Sequence, residues 1–100
     1  IIRGKNTLVG EVIYIDGFGN IVTNFGEREL KLVKAKDIIN VKLKQTTFKL
    51  KLCKAYAEVE AQEPLAIIGS HNFLEISINQ GNAAQRFGIK TGDKVTICRS

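Results

Sequence analysis

The 100-residue sequence contains no methionine and starts at Ile1. We therefore expect the translated start, and with it a further part of the protein, to lie outside this sequence. It has no apolar run near the roughly 18 residues of a transmembrane helix, so no membrane partner is predicted. Its length suits one domain with one hydrophobic core and is too short for two.

Cysteine and histidine are also scarce. Cys53 and Cys98 lie far apart in the sequence without a second potential ligand beside either, which excludes zinc-site spacing and a disulfide-rich secreted scaffold. A reducing cytoplasm is the compartment this composition favours. His71 follows Ser70, but neighbouring residues of an extended segment point to opposite sides, so this pair does not suit a catalytic dyad. We predict neither a metal site nor a self-sufficient catalytic centre.

Basic residues are concentrated in the middle of the sequence. The net charge is +5, and residues 28–54 contain nine basic residues against two acidic ones. Such a segment could attract a polyanion. Residues 41–44 and 48–52, however, alternate apolar side chains with lysines, which is typical of strands that bury one face and expose the other. This pattern explains four lysines without any ligand.

The hydrophobic pattern predicts strands along most of the sequence. β-Branched or alternating runs occupy residues 11–15, 21–25, 41–44, 48–52, 65–68, 73–78 and 94–98. Residues 45–47 are short enough for a hairpin turn. A helix is predicted over residues 82–87, capped by Asn82 and closed by Gly88. The fold class is therefore all-β, a small antiparallel β-barrel of about six to seven strands with one short helix.

Two glycine-containing loops offer groups that could recognise a nucleoside. The amide of Asn20 or Asn82 has the donor and acceptor that match the N6 and N7 edge of adenine, and Phe18 offers a flat face for stacking. An alternative is structural: Asp16 and the asparagines could bond the backbone of their own turns while Phe18 fills the core. Composition alone favours this alternative.

Two motifs show a family resemblance. Residues 10–24, GEVIYIDGFGNIVTN, resemble the G-x-V-x-x-x-D-x-F-G-N-x-x-T-N signature of the C-terminal domain of the S-adenosylmethionine hydroxide adenosyltransferases. These enzymes are relatives of the chlorinating and fluorinating adenosyl enzymes. Residues 65–84, LAIIGSHNFLEISINQGNAA, are similar to a second stretch of that family, which also has a tyrosine at the position of Tyr56. With residues 91–95, the resemblance spans nearly the whole sequence.

The resemblance implies that residues 1–100 are the single C-terminal β-barrel domain of a larger two-domain subunit. The subunits of that family form a homotrimer, and S-adenosylmethionine lies between the N-terminal domain of one subunit and the C-terminal domain of its neighbour. Water or hydroxide attacks the 5′ carbon and gives adenosine and L-methionine. S-adenosylmethionine is the substrate, so no cofactor is expected. The residues that activate the water lie on the N-terminal domain, and we expect the isolated C-terminal domain to be inactive.

Position by position, the resemblance also implies a set of substrate-binding residues. Phe18 and Asn20 would face the adenine, and Asn82 and Ala83 would contact it largely through backbone and amide groups. Tyr56 or its neighbour Ala55 would help to wall the pocket. Ser70 would lie at the methionine end, beside His71, which stands where the halogenating relatives have an arginine. Gly17 is a second departure, because an arginine is common at its position.

Three alternatives to a hydrolase follow from the same residues. A halogenase would use chloride or fluoride in place of water, but the spacing of residues 79–84 is more like that of the hydroxide-using members. A small OB-like barrel could bind nucleic acid through the lysines. That mode needs aromatic residues on the cationic face, whereas Phe48 shares the apolar phase of its strand, so nucleic acid is not the predicted partner. A purely structural trimerisation barrel with an inactive site is a third reading.

Overall fold

The computed structural model describes residues 1–99 and contains eight strands, two short α-helices and one 3-10 turn. The strands are β1 (Ile2–Arg3), β2 (Thr7–Ile15), β3 (Ile21–Thr23), β4 (Ile38–Leu43), β5 (Thr46–Cys53), β6 (Pro64–Ile68), β7 (Leu74–Ile78) and β8 (Lys94–Cys98). The helices are α1 (Glu27–Leu32) and α2 (Ala83–Phe87), and the 3-10 turn is Tyr56–Glu58. No helix within the described residues has both the length and the apolar character of a membrane span.

Seven of the strands close into a barrel. The hydrogen-bonded order is β1-β2-β3-β7-β6-β5-β4-β8, and a further pairing of β2 with β8 joins the two ends. The nine residues of β2 join its two neighbours in the barrel, because residues 7–11 pair with β8 while residues 12–15 pair with β3. The short strand β1 adds to β2 outside this ring. Closure leaves the barrel itself without an open edge, and the predicted all-β barrel is confirmed.

The lysine-rich hairpin has the predicted orientation. Strands β4 and β5 pair antiparallel with Leu43 opposite Thr46, so the turn consists of residues 44–45. It starts one residue earlier and ends two residues earlier than the predicted turn at residues 45–47. Val41, Leu43 and Leu50 are buried in the barrel, while the intervening lysines are exposed. Phe48 packs on Phe87 with ring centroids 4.9 Å apart. The face that carries the lysines therefore lacks the stacking aromatic that the nucleic-acid alternative needs from this hairpin.

The structure adds two features that the residue pattern did not predict. Strand β5 pairs in parallel with β6, which makes the barrel mixed rather than wholly antiparallel. A second helix, α1, follows β3; Leu30 on its inner side is buried, and the Glu29 carboxylate accepts a hydrogen bond from the Gly26 N–H at 2.6 Å. A glutamate that reaches back to the first backbone N–H satisfies one of the unpaired donors of a helix start.

The predicted helix near residue 82 is confirmed. Asn82 Oδ1 accepts a hydrogen bond from the Gln85 N–H at 2.8 Å, and Gly88 ends α2 in the left-handed conformation, with φ of 64°. The backbone N–H of Ala84 also donates to the Gly19 carbonyl at 2.9 Å. The start of α2 is therefore fixed to the loop between β2 and β3, so the two motifs that contain these segments lie side by side.

Candidate functional site

Two adjoining pockets open on the barrel surface beside the loop between β2 and β3. The first has a volume of about 590 Å³ and is lined by Asp16, Phe18, Asn20, Tyr56, Ile78, Asn79, Gln80 and Gly81. The second has a volume of about 490 Å³ and is lined by Ile13, Tyr14, Asp16, Val22, Ser70, His71, Phe73 and Glu75. Asp16 lines both pockets, so its side chain marks their junction.

Asp16 also organises the loop that contains the first motif. Its Oδ1 accepts hydrogen bonds from the N–H groups of Phe18 at 2.9 Å and Asn20 at 3.0 Å, while its Oδ2 accepts one from Asn20 Nδ2 at 2.8 Å. An Asx turn of this kind holds a reversal in one conformation. The structural alternative is thus correct for Asp16, which bonds its own turn, yet the same residue borders both pockets.

Phe18 and Asn20 differ sharply in exposure although they belong to one loop. Phe18 is 80% exposed, which excludes the alternative that its ring fills the core, whereas Asn20 is only 8% exposed. Both side chains line the first pocket. The pocket therefore combines a free aromatic face with an amide that Asp16 holds in place, and this combination suits a flat heterocycle with hydrogen-bonding edges.

Gly19 brings the two sequence motifs together. Its φ is +84°, and a Cβ added there would overlap the side-chain amide of Asn82. Only a glycine can combine this positive φ with so close an approach. Asn82 thus lies against the loop that holds Phe18 and Asn20. It follows Gly81, which lines the first pocket, but Asn82 itself lines neither pocket. The Ala83 side chain is fully buried in the core, which leaves only its backbone for any contact with a ligand.

Tyr56 also lines the first pocket. It starts the 3-10 turn, which is held because Glu58 Oε2 accepts hydrogen bonds from the N–H groups of Lys54 at 2.7 Å and Ala55 at 2.8 Å. Burial raises the pKa of the Tyr56 hydroxyl, the carboxylates of Glu75 and Asp16 raise it further, and the Ser77 hydroxyl opposes them. Tyr56 therefore remains a protonated hydrogen-bond donor at neutral pH.

The second pocket contains Ser70 and His71, both exposed, on the loop between β6 and β7. A bulge in β2 lies on its other side: Val12 pairs with Thr23 and Tyr14 with Val22, which leaves Ile13 as an extra residue. A bulge redirects side chains, and here Ile13 and Tyr14 are both exposed at the pocket. The pocket thus has an apolar side and a polar side.

Other residues of the first motif maintain the barrel. Thr23 is fully buried, and its Oγ1 donates to the Leu74 carbonyl at 2.7 Å, which ties β3 to β7. Asn24 Oδ1 accepts from the Glu11 N–H at 2.9 Å, and a Cβ on Gly10 would overlap that oxygen. The motif therefore divides into a pocket part, Asp16 to Asn20, and a structural part.

The structure brings most of the predicted site residues together. Phe18, Asn20 and Tyr56 line the first pocket, and Ser70 and His71 line the second. Sequence reasoning did not assign Asp16 and Glu75 to the site, although both lie inside the two motifs. A carboxylate inside a motif is the signal that could have identified them.

Comparison with known proteins agrees with this geometry. Residues 10–96 match the family described as the SAM hydroxide adenosyltransferase C-terminal domain. The chain belongs to this family. A curated relative, the (R)-S-adenosyl-L-methionine hydrolase of Methanocaldococcus jannaschii, is 35% identical over 91 residues, which cover 86% of this chain and 34% of that protein. The enzyme of the same name from Thermus thermophilus is 28% identical over 88 residues, 88% of this chain and 31% of that protein.

Two solved structures share the fold of this domain. An uncharacterized conserved protein from Thermotoga maritima superposes with a TM-score of 0.88 at 36% identity, over 98% of this chain and 38% of that one. A conserved hypothetical protein from Thermus thermophilus gives a TM-score of 0.70 at 28% identity, over 89% of this chain and 34% of that one. The chain spans about a third of the length of the curated relatives it matches.

Proposed function

We propose that this chain is the adenine- and S-adenosylmethionine-binding C-terminal domain of an enzyme that hydrolyses S-adenosylmethionine to adenosine and L-methionine. The observation that carries the proposal is the arrangement at Asp16. There, a pocket with an exposed aromatic ring and a fixed amide adjoins a second pocket with Ser70 and His71. The name of the two curated relatives, S-adenosylmethionine hydrolase, supports the same activity.

The two pockets suit the two halves of the proposed substrate. The first would take the adenine between the Phe18 ring and Tyr56, with Asn20 and the start of α2 at the adenine edge. The second would take the methionine, with Ser70 and His71 near its carboxylate. A ligand held at both ends in this way has its central sulfonium and 5′ carbon near the junction.

In the proposed reaction, a water oxygen forms a bond to C5′ while the C5′–S bond breaks. The electron pair of that bond remains on sulfur as methionine becomes a neutral thioether, and the attacking water loses a proton. Sulfonium is a good leaving group, so the protein must chiefly align the oxygen and exclude bulk water. The residues described here would hold the substrate for this step, and the group that accepts the proton would belong to the N-terminal domain.

The open shape of the site supports the proposed partners. Phe18, Tyr14 and Tyr56 are 80%, 57% and 42% exposed at the pockets, and exposed aromatic surface of this extent commonly marks a binding or interaction site. We propose that the N-terminal domain of a neighbouring subunit in a cytoplasmic homotrimer provides the second wall. The barrel alone would then supply half of the site.

Product analysis of the complete protein tests the proposed function. The protein is incubated with S-adenosylmethionine, with and without chloride, and the products are separated by chromatography. We expect adenosine and L-methionine in both conditions. A chlorinated adenosine that forms only with chloride would contradict the hydrolase and favour a halogenase, and no product in either condition would indicate an inactive structural barrel.

A Phe18→Ala substitution tests the aromatic wall. We expect the affinity for adenosine to fall roughly two- to twelvefold, because an aromatic pair contributes about 0.5–1.5 kcal/mol beyond its buried area. The thermal unfolding midpoint should not change, since this side chain is 80% exposed and supports no core contact. The measurement is isothermal titration of the complete protein.

The matched control for Phe18→Ala is Ile38→Ala, which removes another exposed apolar side chain, 50% exposed, from the lysine-rich hairpin away from both pockets. It should leave the affinity for adenosine unchanged. An equal loss in both variants would show that Phe18 acts through general surface properties rather than through the pocket.

A further inference from the structure

The turn of residues 78–81, the pocket turn, forms part of the first pocket, because all four of its residues line that pocket. The Gly81 N–H donates to the Ile78 carbonyl at 3.1 Å, and Gln80 has φ of 59°, in the left-handed region. A residue other than glycine keeps this conformation only where its surroundings hold it there. The contacts that hold Gln80 therefore also decide the shape of this part of the pocket.

Gln62, in the loop before β6, makes such contacts. Its Nε2 donates to the Gln80 carbonyl at 2.6 Å, and its backbone N–H donates to the Asn79 carbonyl at 2.7 Å. Gln62 is itself left-handed, with φ of 71°. It lines neither the first nor the second pocket, so it acts on the site by fixing the backbone of residues 79 and 80.

Arg86, in the last turn of α2, holds the Gln62 side chain in one orientation. Its Nη1 donates to the Gln62 carbonyl at 2.8 Å, and its Nη2 donates to Gln62 Oε1 at 3.1 Å. A guanidinium has donors only, so the amide of Gln62 turns its oxygen toward Arg86 and its nitrogen toward the Gln80 carbonyl. Without Arg86, this amide is free to rotate away from Gln80.

The same helix also contacts a second part of the first pocket. At its start, the Ala84 N–H donates to the Gly19 carbonyl at 2.9 Å, in the loop that holds Phe18 and Asn20. In its last turn, Arg86 contacts the residue that fixes the pocket turn. Helix α2 therefore connects two parts of the pocket lining and sets their relative position.

The residues of this network contribute little to the barrel itself. Arg86, Gln62 and Gln80 are all exposed, and the hydrophobic core contains none of them. A hydrogen bond at an exposed position has a small net effect on folding, because water replaces it when it is lost. A pocket that is already ordered binds its ligand more tightly, since binding does not then have to order it. The network therefore affects the pocket more than the fold.

We propose that Arg86 is a positioning residue for the nucleoside: acting through Gln62, it holds the pocket turn in the conformation that contacts the adenine. The proposal rests on the proposed function, which places the adenine in the first pocket. Arg86 lines neither pocket, so its role is to preorganise the site and not to take part in the chemical step.

Arg86→Ala tests this role in the complete protein. The affinity for adenosine, measured by calorimetry, should fall about three- to tenfold, the range for the loss of one ordinary hydrogen bond. With S-adenosylmethionine, KM should rise while kcat changes by less than about twofold, because substrate and transition state lose the same binding. Alanine is a good helix former, so α2 is retained. A lower kcat with unchanged KM would indicate a loss of folded enzyme and would contradict the proposal.

Gln62→Glu separates positioning from a structural role. At neutral pH the new carboxylate still accepts hydrogen bonds from Arg86, but it has no N–H to donate to the Gln80 carbonyl. Adenosine affinity should therefore fall about three- to tenfold, as in Arg86→Ala, while the thermal unfolding midpoint is unchanged or raised. Wild-type affinity in Gln62→Glu would overturn the proposal, because the contact with Gln80 would then be irrelevant to binding.

The two side chains should act as one unit. When Gln62→Ala is already present, Arg86→Ala should lower adenosine affinity by less than about twofold further, because the pocket turn has already lost its contact. Additive losses would contradict an action of Arg86 through Gln62.

The matched controls are Arg28→Ala, an exposed arginine of α1, and Gln45→Ala, an exposed glutamine in the turn between β4 and β5. Neither residue lines either pocket, so both variants should keep wild-type adenosine affinity and KM. Unchanged affinity in Arg86→Ala, or an equal loss in the controls, would overturn the role of Arg86 and leave the proposed function intact. A wild-type protein that binds adenosine but gives no product would contradict the proposed function alone, and one that does not bind adenosine would overturn both.

Discussion

Replacing Gly19 with alanine is expected to lower the free energy of unfolding by about 2–4 kcal/mol, the sum of left-handed backbone strain and a weakened helix cap. The strain arises because Gly19 has φ of +84°. The added methyl group would also displace the Asn82 side chain, which caps α2 through the Gln85 N–H. Since the same loop presents Phe18 and Asn20, the substitution should also lower nucleoside affinity. Urea denaturation followed by far-ultraviolet circular dichroism measures the stability change.

Two other glycines separate the causes of that loss. Gly17 is in the same loop, has no left-handed φ and has no heavy atom within 4 Å of an added Cβ, so Gly17→Ala should change stability by less than about 0.5 kcal/mol. Gly88 has φ of +64° with open space around it, so Gly88→Ala should show the strain alone, about 1–2 kcal/mol. Gly19→Ala should therefore lose more unfolding free energy than Gly88→Ala. Equal losses in the two variants would show that the contact with Asn82 does not contribute to stability.

Replacing Asn20 with alanine is expected to weaken adenosine binding by about 1–3 kcal/mol, the usual cost of leaving a buried hydrogen-bonding group without its partner. Asn20 is 8% exposed and its amide donates to Asp16 Oδ2 at 2.8 Å. The substitution therefore removes one polar group of the first pocket and also frees the carboxylate at the junction. Isothermal titration of the complete protein with adenosine measures the effect.

Asn40→Ala is the control for Asn20→Ala. Asn40 lies on β4, where it pairs with Lys49 and Cys98, and it lines neither pocket. Its replacement should leave adenosine affinity unchanged, and so should Lys49→Ala on the neighbouring strand. Unchanged affinity in Asn20→Ala would remove this asparagine from the site.

Local patterns predicted most elements of the barrel correctly. The alternation of Val41 and Leu43 with lysines predicted which face of β4 is buried, because side chains of a strand point to opposite sides in turn. The cap at Asn82 and the closing glycine at Gly88 were predicted for a similar reason, since helix ends depend on a few neighbouring residues. The helix α1 was not predicted, because the residue that precedes it, Gly26, has no side chain to cap the helix start, whereas α2 is capped by Asn82.

The site was only partly predictable. The resemblance indicated Phe18, Asn20 and Tyr56, and these residues line one pocket. The sequence could not show that Phe18 is 80% exposed rather than buried, because a single aromatic between two glycines fits either environment. It also could not show that Glu75 lies near Asp16, 59 positions earlier in the chain, since that proximity depends on the pairing of β3 with β7.

By itself, the sequence determined the class of fold, the buried face of each alternating strand and the family to which its motifs belong. These properties depend on the side-chain period of a strand and on residues close together in the chain. Only the tertiary structure decided the parallel β5–β6 pair, the contact of Gly19 with Asn82 and the meeting of the two pockets at Asp16. Each of these brings together segments that are distant in sequence, and closure of the barrel, rather than any local preference, sets their spacing.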